Sequence, residues 1–146
     1  MKKEVVKDWM TGEVVTIGSE TSLPEAHQLM MDRKIRRLPV VGADGRLIGI
    51  ITLGDVRGAE PSQATSLSIW ELNYLLATLE IEKVMTPDPL TVSQDATIGE
   101  AARIMLENKV SGLPVVNDRG DLVGIITESD IFRMVVRHEW EEQAYA

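Results

Sequence analysis

At 146 residues and 16.2 kDa, the chain is long enough for one ordinary domain or two very small ones. Its 44% hydrophobic and 26% charged residues are those of a globular protein, and the absence of cysteine excludes disulfides, thiolate catalysis and cysteine metal sites. A formal charge of −8 repels duplex nucleic acid, and two histidines leave little material for a transition-metal centre.

No apolar run approaches the roughly 20 residues of a membrane span. The N-terminus has no apolar signal core, so a cytoplasmic protein that binds neither nucleic acid nor membrane is expected.

In chain order, the β-branched stretch Val14–Ile17 predicts a strand. Ser22-Leu23-Pro24-Glu25 is a capping box, and Leu23, Ala26 and Met30 recur behind it at helical spacing. The Met30-Met31 pair is expected to fill the core. Leu38–Val41 and Leu47–Ile51 predict two strands joined by an Asp44-Gly45 turn. Both are apolar at consecutive positions, which predicts burial of both sheet faces. Gly58–Gln63 reads as a loop and Ser68–Leu79 as a connecting helix, with Trp70 and Tyr74 as packing or dimer contacts.

The pattern then repeats. Leu90–Val92 is strand-like, Thr97-Ile98-Gly99-Glu100 is a second capping box, and Leu113–Val116 and Leu122–Ile126 flank a turn at Gly120. A final helix carries Met134, Val135 and Val136 towards the acidic run Glu139–Glu142. Residues 9–57 align with 84–132 at a constant offset of 75, without a gap and with 18 of 49 positions identical. The chain is an internal duplication.

Each copy ends on the same chemistry-bearing segment, Gly49-Ile50-Ile51-Thr52-Leu53-Gly54-Asp55 and Gly124-Ile125-Ile126-Thr127-Glu128-Ser129-Asp130. A strand runs into a helix start with Thr and Asp three residues apart. Free N–H groups at a helix start attract phosphate, a threonine hydroxyl adds a donor, and an ionised Asp suits a pair of sugar hydroxyls. The same spacing serves equally as a helix cap that needs no ligand, and the two readings are compatible. The basic run Arg33-Lys34-Ile35-Arg36-Arg37 is either a solvated helix end or a phosphate clamp. Arg57, Arg133 and Arg137 follow the Asp-bearing turns as further cations. No catalytic triad, paired-carboxylate pattern or Gly-rich phosphate loop is present in the sequence, so a non-enzyme is expected.

A capped helix, LPVV, a glycine turn and GIIT-x-x-D, in that order and twice over, resemble the cystathionine-β-synthase (CBS) domain in its tandem form, the Bateman module. The resemblance extends to the openings Met10-Thr11 and Val84-Met85-Thr86-Pro87. It implies an α+β, sandwich-like fold of two β-α-β-β-α motifs packed sheet to sheet around a pseudo-twofold axis. The expected division is a first motif over 1–60, a loop and connecting helix over 61–81, and a second motif with an acidic tail over 82–146.

The resemblance also implies clefts between the motifs that bind adenine nucleotides or related adenosyl ligands. In that reading Asp55 and Asp130 hold the ribose, and Thr52 and Thr127 contact phosphate. Ser129 adds a hydroxyl where the first copy has Gly54. Arg36 and Arg37, or Ser111 and Gly112, border the clefts; Thr11, Val14 and Val15, or Thr86, Pro89 and Leu90, contact the base. The ligand expected is AMP, ADP or ATP, with S-adenosylmethionine or NAD(H) as further candidates and no required cofactor. The function implied is a regulatory homodimer that signals to a protein target in trans. The alternative is a ligand-free dimerisation or interaction scaffold.

Overall fold

The computed structural model describes residues 4–59 and 68–144. Two compact units cut across the repeat: Val15–Pro89 forms one, and Met1–Val14 together with Leu90–Ala146 forms the other. The fold is mixed α+β, and each unit has its own sheet and its own aliphatic core.

In the unit Val15–Pro89, the strands are β1 (Ile17–Gly18), β2 (Arg37–Val41), β3 (Leu47–Thr52) and β4 (Thr86–Pro87). They pair in that order, β1 parallel to β2 and the rest antiparallel. Three helices, α1 (Leu23–Arg33), α2 (Leu53–Ala59) and α3 (Ile69–Thr78), complete the unit. Helix α1 starts where the Ser22 hydroxyl accepts the Glu25 N–H at 3.3 Å, and ends at Lys34 in the left-handed region, φ 55°. Gly45, at φ 81°, makes the β2–β3 turn, a conformation that costs a glycine little.

The other unit repeats the pattern with β5 (Val92–Ser93), α4 (Ile98–Asn108), β6 (Gly112–Val116), β7 (Leu122–Thr127) and α5 (Glu128–Ala144). Thr97 caps α4 through the Glu100 N–H at 3.1 Å, and Gly120 turns at φ 82°. Thr11 takes the place that β4 holds in the first sheet, exchanging backbone bonds of 2.9 and 3.0 Å with Ile125.

The opening segment of each copy therefore joins the sheet of the other. Thr86 pairs with Ile50 and Thr11 with Ile125, at the same offset of 75. The cores repeat the exchange. Ile81, just ahead of the second copy, is fully buried with Leu23, Met30, Leu38 and Ile51. Val6, just ahead of the first, is fully buried with Ile98, Met105, Leu113 and Ile126. The expected boundaries at 1–60 and 82–146 follow the duplication, whereas the compact units change over between Val14 and Val15 and between Pro89 and Leu90.

Several details differ from the sequence reading. Val14–Ile17 yields only the two-residue β1, because the ladder pairs Ile17 with Val40 and Gly18 with Val41 and goes no further upstream. β2 is buried at three consecutive positions as expected, but burial in β3 alternates. Met30 is in the core, whereas Met31, one position round the helix, is half exposed. Gly58 and Ala59 belong to α2, and the rest of the expected loop lies outside the described residues. Leu76 of α3 and Leu79 just after it pack on the core, while Trp70 and Tyr74 of α3 remain 80% and 70% exposed.

Candidate functional site

Strand β3 delivers Thr52 directly into the first turn of α2, and the two sides of the junction hold each other. The Asp55 carboxylate accepts the Thr52 N–H at 2.9 Å, and the Thr52 hydroxyl accepts the Asp55 N–H at 3.1 Å. This is a reciprocal cap. Beside it, the Leu53 N–H donates to the Arg36 carbonyl at 2.7 Å, and Arg37 stands opposite Thr52 in the β2–β3 register. The basic residues at the start of β2 thus lie next to the Thr-Asp turn, Arg36 exposed and Arg37 half-buried. On the other edge of β3, Thr86 stands opposite Ile50 and the Asp88 N–H donates to the Ile48 carbonyl at 3.2 Å. Val15 and Pro89 sit at the two ends of this unit's chain.

The second turn is built on the same plan with different contacts. The Asp130 carboxylate accepts the Thr127 N–H at 2.9 Å and the Thr127 hydroxyl at 3.2 Å through Oδ2. Its other oxygen, Oδ1, accepts Arg133 Nη1 at 2.8 Å. Asp130 is only 5% exposed. The Glu128 N–H donates to the Ser111 carbonyl at 3.0 Å, and Gly112 stands opposite Thr127. Thr11 lies on the far edge of β7, so this unit brings Thr11, Ser111, Gly112, Thr127, Ser129 and Asp130 onto one end of one sheet. Val14 ends one of its chain segments, half-buried, and Leu90 begins the other, 47% exposed.

Each unit therefore assembles a Thr-Asp turn from one copy with an opening segment from the other. The chemistry available is a carboxylate acceptor, a threonine hydroxyl and, in the first unit, the exposed Arg36 for an anion. The sequence reading named Arg133 only among further cations after the Asp-bearing turns; the structure places its guanidinium on Asp130. Arg133 stands at the offset of 75 from Gly58, one residue past the aligned block, and carrying the alignment one step further would have exposed the difference.

Among the described residues, no group of three or more His, Asp and Glu side chains is placed to hold a metal ion, and no helix is long and apolar enough to cross a membrane.

The CBS domain family model matches residues 6–62 and 81–137, and the chain belongs to the CBS domain family. It is 33% identical to a CBS domain-containing protein of Dictyostelium discoideum, over 92% of this chain and 93% of that one. It is 36% identical to an inosine-5'-monophosphate dehydrogenase of Korarchaeum cryptofilum over 82% of this chain, but spans only 22% of that enzyme's length. Among solved structures, the CBS domain pair of protein MJ0100, in complex with 5'-methylthioadenosine and S-adenosyl-L-methionine, superposes with a TM-score of 0.78. The match has 31% identity and covers 94% of this chain and 99% of that one. CBSX2 in complex with AMP gives a TM-score of 0.77 at 28% identity, covering 93% and 98%.

Proposed function

We propose that this chain is a non-catalytic regulatory module that binds an adenine nucleotide or a related adenosyl ligand at its Thr-x-x-Asp turns. The observation that carries this reading is the repeated arrangement of Thr52 with Asp55, and of Thr127 with Asp130, each beside an opening segment from the other copy. The adenosyl ligands of the similar structures support the same ligand class. The carboxylates receive the ribose hydroxyls, the threonines and the basic pair Arg36 and Arg37 receive phosphate, and Thr11, Val14, Leu90, Val15, Thr86 and Pro89 lie toward the base. A regulatory output requires the ligand to favour one arrangement of the module over another, and a partner protein that reads the difference. The exposed Trp70 and Tyr74 of α3 supply an apolar face for a homodimer or that partner.

The test is a thermal-shift panel of AMP, ADP, ATP, S-adenosylmethionine and NAD(H) on ligand-stripped protein. A ligand at 100 times its Kd stabilises the fold by about 2.7 kcal/mol, a clear rise in Tm. Replacing Asp55 and Asp130 together by Ala removes charge-assisted bonds worth about 1.5–3 kcal/mol each, so at least about a tenfold loss of affinity is expected. A folded, empty protein that shifts with none of these ligands would favour the second reading, a ligand-free scaffold. That reading draws on the fact that both Thr-Asp pairs already close as helix caps.

A further inference from the structure

The two Thr-Asp turns offer a sugar unequal acceptors. We propose that Arg133 is an internal counter-ligand that closes the second turn, so that the chain takes its ribose-bearing ligand first at Asp55. This inference rests on the proposed binding of an adenosyl ligand.

A carboxylate has about four lone-pair positions for incoming donors. At Asp130 three of them are used within the chain: Thr127 N–H and hydroxyl on Oδ2, and Arg133 Nη1 on Oδ1. A vicinal diol donates two hydrogen bonds, one more than the remaining position takes, so it competes with Arg133 for Oδ1. Displacing Arg133 is costly, because the bond is charge-assisted and short, and it would strip a carboxylate of low exposure of its cation. Asp55 is different. Its Oδ2 accepts the Thr52 N–H, and its Oδ1 accepts nothing from the described residues. The residue in the position of Arg133 is Gly58, which has no side chain to offer. The guanidinium groups of Arg36 and Arg37 belong to this same first unit, whereas Ser111 and Gly112 stand at their positions in the other. Open carboxylate and phosphate-binding charge therefore coincide at Asp55.

Arg133 is well placed to act as such a plug. It lies three residues after Asp130 on α5, on the same helix face, and its side chain is 64% exposed. It reaches from the surface onto a buried acceptor, and α5 does not need it for packing. Arg133→Met keeps the aliphatic stem but leaves Asp130 without its cation, so retention of the fold is checked by the variant's melting transition.

Isothermal titration with AMP and with S-adenosylmethionine tests the idea on ligand-stripped full-length chain. The wild type is expected to take one equivalent, and Arg133→Met two. Asp130→Asn, added to Arg133→Met, should remove the gained equivalent, and Asp55→Asn should remove the original one. The reciprocal graft, Gly58→Arg, should weaken wild-type binding about tenfold, and it provides an independent reading should Arg133→Met fail to melt cooperatively. Two equal equivalents in the wild type would overturn the proposal. So would a single unchanged equivalent in Arg133→Met, or weaker binding in that variant, which would make the guanidinium a ligand contact. Binding of neither probe to folded wild type or to Arg133→Met would instead overturn the adenosyl reading beneath it.

Discussion

Met10 lies directly against the bare Cα of Gly124: a Cβ built there would fall 3.0 Å from Met10 Cγ and 2.9 Å from the Thr11 carbonyl oxygen. Met85 covers Gly49 in the same way on the other sheet. Each methionine sits at the start of its own copy and packs on a strand of the other, so at the two glycines the exchanged segments approach closely. Overpacking of this kind typically costs about 1–3 kcal/mol.

The two sites differ in what would have to move. At Gly124 one neighbour is backbone, fixed by the paired bonds of Thr11 and Ile125, whereas all three nearest atoms at Gly49 belong to the flexible Met85 side chain. Gly124→Ala is expected to lower Tm by several degrees, and Gly49→Ala by clearly less. Thermal denaturation of the two variants checks the order; equal losses would mean that Met85 is as constrained as the Thr11 backbone.

The exchange of core residues predicts a crossed pattern of local loosening. Ile81→Ala leaves a cavity in the core of α1, β2 and β3, at a cost of about 2–5 kcal/mol. Hydrogen exchange should accelerate in β2 and β3 more than in β6 and β7, although Ile81 adjoins the second copy in sequence. Val6→Ala should do the reverse, with a smaller effect, loosening β6 and β7.

A third expectation concerns the anchor of the N-terminal segment on α5. Trp9 Nε1 donates to Glu4 Oε2 at 3.0 Å, Glu4 Oε1 lies 2.8 Å from His138 Nε2, and the Arg137 guanidinium stands 5.6 Å from the Trp9 ring centroid. Glu4→Ala removes the acceptor of the Trp9 indole N–H, and a lost hydrogen bond to a charged group is worth about 1.5–3 kcal/mol. Trypsin cleavage after Lys7 should then accelerate by about fivefold or more, since 1 kcal/mol of opening energy is already a factor of about five. An unchanged cleavage rate would show that the backbone bonds of Val6, Lys7 and Thr11 hold the segment unaided.

The basic pair at the start of β2 separates phosphate from sugar. Replacing Arg36 and Arg37 together by Ala should weaken ATP or AMP much more than adenosine, because guanidinium–phosphate bonds depend on the ligand's charge. Titrations of the three ligands provide the comparison, and equal weakening of all three would count against a phosphate contact.

Much of this architecture is legible without coordinates. Ser22 and Thr97 announce their helices because a hydroxyl three residues ahead of a Glu satisfies a donor that the helix itself cannot. Gly45 and Gly120 mark their turns because a positive φ is easy for glycine. Thr52 with Asp55 and Thr127 with Asp130 stand out because short-range hydrogen bonding needs a fixed spacing. Val14 and Val15 mislead for a related reason: β-branching favours an extended chain, but a strand also needs a partner, and β2 pairs no earlier than Ile17.

What the amino-acid sequence determined by itself is the duplication, the capped helices, the paired strands and the two acceptor turns. All of these arise from contacts between residues near one another in the chain or from the repeat. Tertiary structure alone decided that Met10 and Thr11 serve the second sheet while Met85 and Thr86 serve the first. Nothing within a copy encodes which copy its opening segment joins, because both offer the same glycine and the same open strand edge. The burial of Asp130 was decided there too, and with it the pull that draws Arg133 onto one turn while Gly58 leaves the other open. A charge pair gains its strength from the exclusion of water, and that exclusion belongs to the folded chain.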